Sequence, residues 1–154
     1  MKSPIIALVF SSFCFLYACT EQAEVVKILQ SDCPKYTELN FSNYDSLQSD
    51  PVINVEVKIE GDCLQLTLQY GGGCKEHKVD LALIQPQCGT PPLPPPTFEI
   101  RHNANNDACE ALITKDYNFD ISGIREQGKT STDFILSVKT SSGTINSLTY
   151  TYNY

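Results

Sequence analysis

Two cysteines and both histidines of the chain stand in a pattern that is typical of a metal site. Cys74 and His77 are separated by two residues, and His102 and Cys109 by six. Thiolate and imidazole are ligands that zinc and copper prefer in proteins. On a regular strand, however, residues three apart point to opposite faces, so Cys74 and His77 would share an ion only at a turn or bulge. A metal site is therefore the alternative interpretation, and a disulfide between Cys74 and Cys109 is the preferred one.

The same histidines are the natural candidates for catalysis, because a serine or cysteine nucleophile needs an activating base and the chain has only two histidines, His77 and His102. Neither lies in a known catalytic signature, and no nucleophile elbow, metalloprotease motif or Walker loop is present. Asp116 and Asp120 could serve a glycosidase only if the fold held them about 5 to 9 Å apart around a cleft. We therefore expect a protein that is not an enzyme and has no cofactor.

The segment NANND at 103–107 offers amide and carboxylate oxygens, which are the ligands of calcium. It lacks the carboxylate density and the spacing of an EF-hand loop. The sequence therefore predicts that this segment is the turn of a hairpin rather than an ion site.

The amino-terminal segment MKSPIIALVFSSFCFLYAC has one lysine followed by an apolar run. This run is too short for a membrane span and has the length of the apolar region of a secretory signal. Its end, Leu16-Tyr17-Ala18-Cys19, resembles the lipobox of bacterial lipoproteins. The resemblance implies that residues 1–18 are a signal peptide, that Cys19 carries fatty acid such as palmitate, and that this lipid holds the chain at a membrane. Because Thr20 is not the aspartate of inner-membrane lipoproteins, we expect the outer membrane of the cell envelope.

Five cysteines follow residue 19, namely Cys33, Cys63, Cys74, Cys88 and Cys109. An exported chain folds in an oxidising compartment, where cysteines pair as disulfides and an odd number leaves one thiol over. Cys74 and Cys109 are the preferred pair because each starts a strand-like run, and closing that loop would stabilise the fold by roughly 3 to 4 kcal/mol. Cys88 would then pair with Cys63 or with Cys33, and spacing alone does not distinguish the two.

Alternation of apolar and polar residues dominates the chain after residue 51 and predicts β-strands. In VINVEVKI at 52–59 and in LQLTLQY at 64–70, every second residue is apolar, and Glu60-Gly61-Asp62 joins the two runs as a hairpin. About seven to eight such runs occur, with no long segment of helical period. The prediction is an all-β fold, a single antiparallel β-sandwich of the immunoglobulin-like kind at 51–154, preceded by a lipidated tether and leading segment at 19–50.

The charge of the chain excludes one class of partner. Eleven lysines and arginines stand against eighteen aspartates and glutamates, for a net charge of −7, and the cations do not cluster. Nucleic-acid binding depends on clustered cations that displace the counterions of phosphates. We therefore expect no nucleic-acid partner, a membrane contact through the lipid on Cys19, and a protein or small-molecule partner that the sequence does not identify.

The stretch from Asp62 to Ser122 resembles a group of small envelope lipoproteins of the Bacteroidetes type. It is most similar to the carboxyl-terminal β-sandwich of NigD-like proteins. The resemblance implies a lipid-anchored β-sandwich without catalytic residues. Its most distinctive positions are Gly72, Gly73, Cys74, His77, His102, Asp107, Cys109 and Glu110.

Overall fold

The structure, a computed structural model, describes residues 33–86 and 92–154. The predicted signal peptide at 1–18, the predicted lipidation site Cys19 and the fifth cysteine, Cys88, lie outside these residues. Within the described part, no helix has the length and apolar character that a bilayer span requires. Eight strands form two sheets: β1 (Thr37–Leu39), β2 (Asn54–Glu60), β3 (Cys63–Gly72), β4 (Lys78–Ile84), β5 (Thr97–Asn103), β6 (Ala111–Asp120), β7 (Ser131–Lys139) and β8 (Ile145–Asn153).

A three-stranded antiparallel sheet has the order β2-β3-β6. The predicted hairpin is confirmed, because β2 pairs with β3 as far as Glu60 opposite Cys63. Gly61 allows this tight turn, since its φ of 56° lies in the left-handed region that favours glycine. Along β3, alternate side chains from Leu64 to Tyr70 are buried, as the alternation predicts.

A five-stranded sheet has the order β1-β4-β5-β7-β8 and is mixed. β1 pairs with β4 in parallel, and so does β5 with β7, whereas the other two pairs are antiparallel. The prediction of a purely antiparallel sandwich is therefore wrong for this sheet. After β1 the chain crosses to the other sheet and returns as β4 beside β1, and after β5 it crosses again and returns as β7 beside β5. Each returning strand runs in the same direction as its earlier neighbour. The immunoglobulin-like arrangement stays a prediction.

The segment 103–107 is not the turn of a hairpin, which corrects the prediction made from the sequence. It carries the chain from β5 in one sheet to β6 in the other. β6 is drawn away from β5 because it pairs with β3 over ten residues, from Cys63 opposite Asp120 to Gly72 opposite Ala111. This crossing brings the end of β5 close to the ends of β3 and β6.

The leading segment at 33–50 belongs to the folded body. β1 pairs with β4, and the side chain of Leu39 is fully buried. A disulfide joins Cys33 to Cys63 at the start of β3. The sandwich therefore includes residues that precede Pro51, although the alternating pattern begins only after that residue. The alternation did not reveal β1 because this strand has only three residues.

The core lies between the two sheets and is built from their inward apolar side chains. Burial of such side chains is the main stabilising contribution in a fold of this size. The buried members are Val52, Leu64, Leu66, Leu68, Tyr70, Val79, Leu81, Phe98, Ile100, Phe119, Ile121, Ile124, Phe134, Leu136 and Tyr152.

Candidate functional site

The four residues of the predicted metal site meet at one end of the sandwich, but two of them are bonded to each other. Cys74 and Cys109 form a disulfide with their Cα atoms 5.8 Å apart. Thiolate is the form of cysteine that binds metals, and a disulfide sulfur has lost it. The metal interpretation that used Cys74, His77, His102 and Cys109 is therefore not supported, and the preferred disulfide is present. His77 precedes the first residue of β4, so the strand-face argument does not apply to it.

The second disulfide differs from both pairings considered for Cys88. Cys33 bonds to Cys63, with the Cα atoms 6.1 Å apart. The β2–β3 hairpin places Cys63 beside the segment that leads into β1, which spacing along the chain does not reveal. Cys88 itself lies outside the described residues, and the two cysteines considered as its partner are bonded to each other.

Asp107 is the central acceptor of the site. Its Oδ2 accepts backbone N–H groups of Gly73 (2.9 Å), Cys74 (2.9 Å) and Lys75 (2.8 Å), and its Oδ1 accepts that of Cys109 (2.9 Å). The side chain is 1% exposed. The N–H of Cys109, more than any other group, holds the pKa of this carboxyl well below its usual range, against the opposing effect of burial. Asp107 is therefore a buried acceptor of backbone N–H groups and not an exposed oxygen ligand of the kind that the sequence offered for calcium.

The two histidines form a buried pair beside Asp107. Nδ1 of His77 lies 2.9 Å from Nε2 of His102, and Nε2 of His77 lies 3.3 Å from Oδ2 of Asp107. The ring of Tyr70 stacks on that of His77, with centroids 4.8 Å apart. The ionised carboxylate only accepts hydrogen bonds, so Nε2 of His77 donates to it. Burial, followed by the charge of His77, lowers the pKa of His102.

The Asp107–His77–His102 arrangement resembles the orienting half of a catalytic triad, but its far end is closed. A triad needs a nucleophile within hydrogen-bond reach of the terminal imidazole. His102 is 1% exposed, and among the described residues no hydroxyl or thiol bonds to its Nδ1. This geometry indicates that the Asp107–His77–His102 hydrogen bonds hold the end of the sandwich together and do not activate a nucleophile.

The predicted carboxylate pair lies elsewhere. Asp116 and Asp120 are both on the outward face of β6, and Asp116 accepts the hydroxyl of Thr67 at 2.6 Å. Thr67 belongs to the polar outer face of the three-stranded sheet, where Asp116 is exposed. This open face is not the cleft that a glycosidase requires.

A second polar cluster, which sequence reasoning missed, lies on the outer face of the five-stranded sheet. Arg101 is 4% exposed, and its Nη2 is 2.6 Å from Oε2 of Glu99. The hydroxyl of Tyr44 donates to Glu99 at 3.0 Å, and the Tyr44 ring covers the Arg101 guanidinium at 4.3 Å. Burial raises the pKa of Tyr44. The cluster fastens the segment that follows β1 onto the sheet, and alternation along β5 indicated only that Glu99 and Arg101 share a face.

These features define a class: a β-sandwich fastened by two disulfides, whose buried polar side chains contact mainly one another and the backbone. The family model of the NigD-like C-terminal beta sandwich domain matches residues 35–152. The chain belongs to this family, and the resemblance to the carboxyl-terminal β-sandwich of NigD-like proteins is confirmed.

Three solved structures share the fold of this chain. A toxin-related protein from Parabacteroides distasonis has 24% identity and a TM-score of 0.61, over 79% of this chain and 61% of that one. A protein of unknown function, DUF1344, from Bacteroides vulgatus has 17% identity and a TM-score of 0.59, over 79% and 56%. A NigD-like immunity protein from Bacteroides caccae has 13% identity and a TM-score of 0.55, over 78% and 64%.

At these identities the likeness shows the shared fold. The chain spans about three fifths of the length of these proteins. A comparison with curated proteins finds no match.

Proposed function

We propose that this chain is an exported lipoprotein, held at the bacterial envelope by fatty acid on Cys19, and that its sandwich is a non-catalytic binding or structural module. The observation that carries the proposal is the pair of disulfides, Cys33–Cys63 and Cys74–Cys109. Disulfides of this structural kind persist in oxidising compartments and are rare in the cytosol. Together with the lipobox-like sequence ahead of Cys19, they support export followed by anchoring. Thr20, which stands where inner-membrane lipoproteins have aspartate, supports the outer membrane as the destination.

The partner is proposed to be a protein. One solved neighbour is described as a NigD-like immunity protein and another as toxin-related. The polar atoms at the candidate site support the same conclusion, because Asp107 and the paired histidines already bond to each other and to the backbone. A small polar ligand would have to displace those bonds, whereas a protein could bind the outer surfaces and leave them intact.

Labelling with radioactive palmitate tests the anchor. The full chain is expressed in a Bacteroides host, as wild type, as Cys19→Ala and as Cys14→Ala. Cys14 is the matched control because it lies in the same predicted signal peptide but outside the lipobox-like sequence. We expect labelled protein in the outer-membrane fraction for wild type and Cys14→Ala, and no label for Cys19→Ala. Label retained in Cys19→Ala would refute the anchor.

Thiol counting tests the compartment separately. Of the five cysteines after residue 19, four are in disulfides. Protein recovered from whole cells under acid quench should therefore alkylate at one cysteine, Cys88, before reduction and at five after reduction. Alkylation of all five without reductant would place the chain in a reducing compartment and contradict export.

A further inference from the structure

The strand β8 differs from the other sheet edges of the described residues. The two sheets end at β1 and β8, and at β2 and β6. An edge strand exposes unpaired backbone groups, and proteins usually block such edges with short strands or charged residues. β1 has three residues, and both edges of the three-stranded sheet carry charges. β8 has nine residues, INSLTYTYN, with neither charge nor proline. The charges on the other two edges are Glu56, Lys58 and Glu60 of β2 and Lys115, Asp116 and Asp120 of β6.

An apolar groove lies next to this edge, between β8 and β2. Leu148 of β8 is 62% exposed, and Ile53, just ahead of β2, is 52% exposed. Val55, Leu136 and Tyr150 line the same groove, which has a volume of ≈ 150 Å³. Apolar side chains exposed beside an unblocked strand mark a surface suited to pairing with another strand.

We propose that β8 pairs in antiparallel fashion with β8 of a second copy of this chain, so that two five-stranded sheets become one continuous sheet. Such a dimer is isologous, because the same strand is used by both copies. If the whole strand Ile145–Asn153 is paired, its central residue, Thr149, lies on the two-fold axis opposite Thr149 of the second copy. This register also joins the two apolar grooves on one face of the extended sheet.

The side chains of β8 complement each other in this register. On the groove face, Leu148 of each copy lies opposite Tyr150 of the other. On the outer face, Thr149 meets Thr149, and Ser147 meets Thr151. Aliphatic–aromatic pairs and hydroxyl pairs are favourable neighbours across antiparallel strands, whereas like charges placed opposite each other are destabilising. Because β8 has no charged residue, self-pairing brings no like charges together within the strand, and this favours a second copy as its occupant.

The flanking strand β7 is compatible with this arrangement. The hydroxyl of Thr151 already donates to Asp133 at 2.7 Å, and the hydroxyls of Ser147 and Ser137 lie 2.8 Å apart. These contacts hold the outward hydroxyls of β8 in place on its β7 side and leave the opposite backbone edge for the second copy.

Cysteine cross-linking in the intact cell tests the register. Thr149→Cys in the full chain places two thiols opposite each other on the axis, at the separation of directly paired residues from which disulfides can form. Glu56→Cys, which is exposed on the edge strand β2, is the matched control. After mild oxidation and non-reducing electrophoresis, we expect a reducible dimer for Thr149→Cys and monomer for Glu56→Cys and wild type. Equal cross-linking of Thr149→Cys and the control overturns the proposal.

A second pair of variants tests the interface without relying on the introduced cysteine alone. Leu148→Lys places a charge opposite the apolar ring of Tyr150 in the second copy. Combined with Thr149→Cys, it should therefore abolish cross-linking. Leu112→Lys is the control, because Leu112 has the same exposure, 62%, and lies on the edge strand β6. Protease resistance and formation of both native disulfides verify folding of each variant. Cross-linking that persists in folded Leu148→Lys overturns the proposal and leaves the groove to another occupant.

Discussion

Nδ1 of His77 lies 2.9 Å from Nε2 of His102, and both rings are buried at the end of the sandwich. Asp107 accepts a hydrogen bond from the other nitrogen of His77. A proton on His102 therefore has to enter a buried position beside a second imidazole. This relationship makes the end of the sandwich sensitive to pH.

The free energy of unfolding should fall on acidification below about pH 6.5, because the pKa of His102 is lower in the folded chain than its ordinary value of 6.5. Above that pH neither state binds the proton, and below it the unfolded chain binds a proton that the folded chain resists, so stability is lost by up to about 1.4 kcal/mol per pH unit. The titratable groups that face His102 are His77, Tyr70 and, on the segment before β2, Asp50. Urea unfolding at pH 7.5 and at pH 5 measures the effect, and His102→Gln should flatten it. Equal stability at the two values would contradict this account.

Asp107→Asn should lower the thermal unfolding temperature more than Asp116→Asn does. The amide replaces one acceptor oxygen by a donor, which then faces the N–H groups that the carboxylate binds. Asp116 is exposed and accepts from the hydroxyl of Thr67, so its variant is the matched control. Differential scanning calorimetry at pH 7 compares the two. Equal unfolding temperatures would mean that the buried acceptor contributes no more than a surface one.

The pH dependence of the Asp107 contribution follows from its lowered pKa. The carboxylate stabilises the fold fully above its ordinary pKa of about 3.9, and the contribution is lost as pH falls through the lower folded value. The difference between wild type and Asp107→Asn should therefore shrink below pH 4. A difference that stays constant at lower pH would contradict the assigned shift.

Gly72→Ala should destabilise the chain by about 1 to 3 kcal/mol, the usual cost of overpacking a buried position. A Cβ atom at Gly72 would lie 2.7 Å from the ring atoms Cε1 and Nε2 of His77 and 3.2 Å from Oδ2 of Asp107. At the neighbouring Gly71 the same atom would meet nothing within 4 Å, so Gly71→Ala is the control. Urea unfolding and the NMR shifts of the His77 ring report the outcome. A Gly72→Ala chain as stable as Gly71→Ala, with unshifted ring signals, would contradict the close approach.

Each disulfide should contribute similarly to stability. The sequence separations are 30 residues for Cys33–Cys63 and 35 for Cys74–Cys109, and loops of this length correspond to roughly 3 to 4 kcal/mol in the chain-entropy account. The double variants Cys33→Ser/Cys63→Ser and Cys74→Ser/Cys109→Ser test this by urea unfolding without reductant. Cys88→Ser, which removes a cysteine outside both bonds, is the control. A double variant as stable as wild type would show that its bond does not form.

Alternation of residue types predicted the longer strands but not all of their partners. The run from Leu64 to Tyr70 has the predicted buried face, because alternate side chains of any strand point to one side. The parallel neighbours β5 and β7 were not predicted, since alternation does not encode which strand lies alongside. Pairing depends on where the chain crosses between sheets, and the crossing at 103–107 reads like an ordinary hairpin turn.

The members of the predicted site and its preferred disulfide were found from the sequence, whereas the role of Asp107 as their common acceptor was not. Cys74, His77, His102 and Cys109 do come together, but whether two sulfurs bind an ion or each other depends on three-dimensional geometry. Arg101 carried no signal of its burial, because the tyrosine that covers it lies 57 positions earlier in the chain and reaches it only through the path of the segment after β1.

The bond between Cys33 and Cys63 has a mechanical consequence. Tension applied to the polypeptide ahead of Cys33 passes through that covalent link directly into the β2–β3 hairpin. The three-residue strand β1, which pairs with β4 alone, is thereby shielded from the load. Pulling from this side would shear a strand embedded in the three-stranded sheet instead of peeling away the weakest edge.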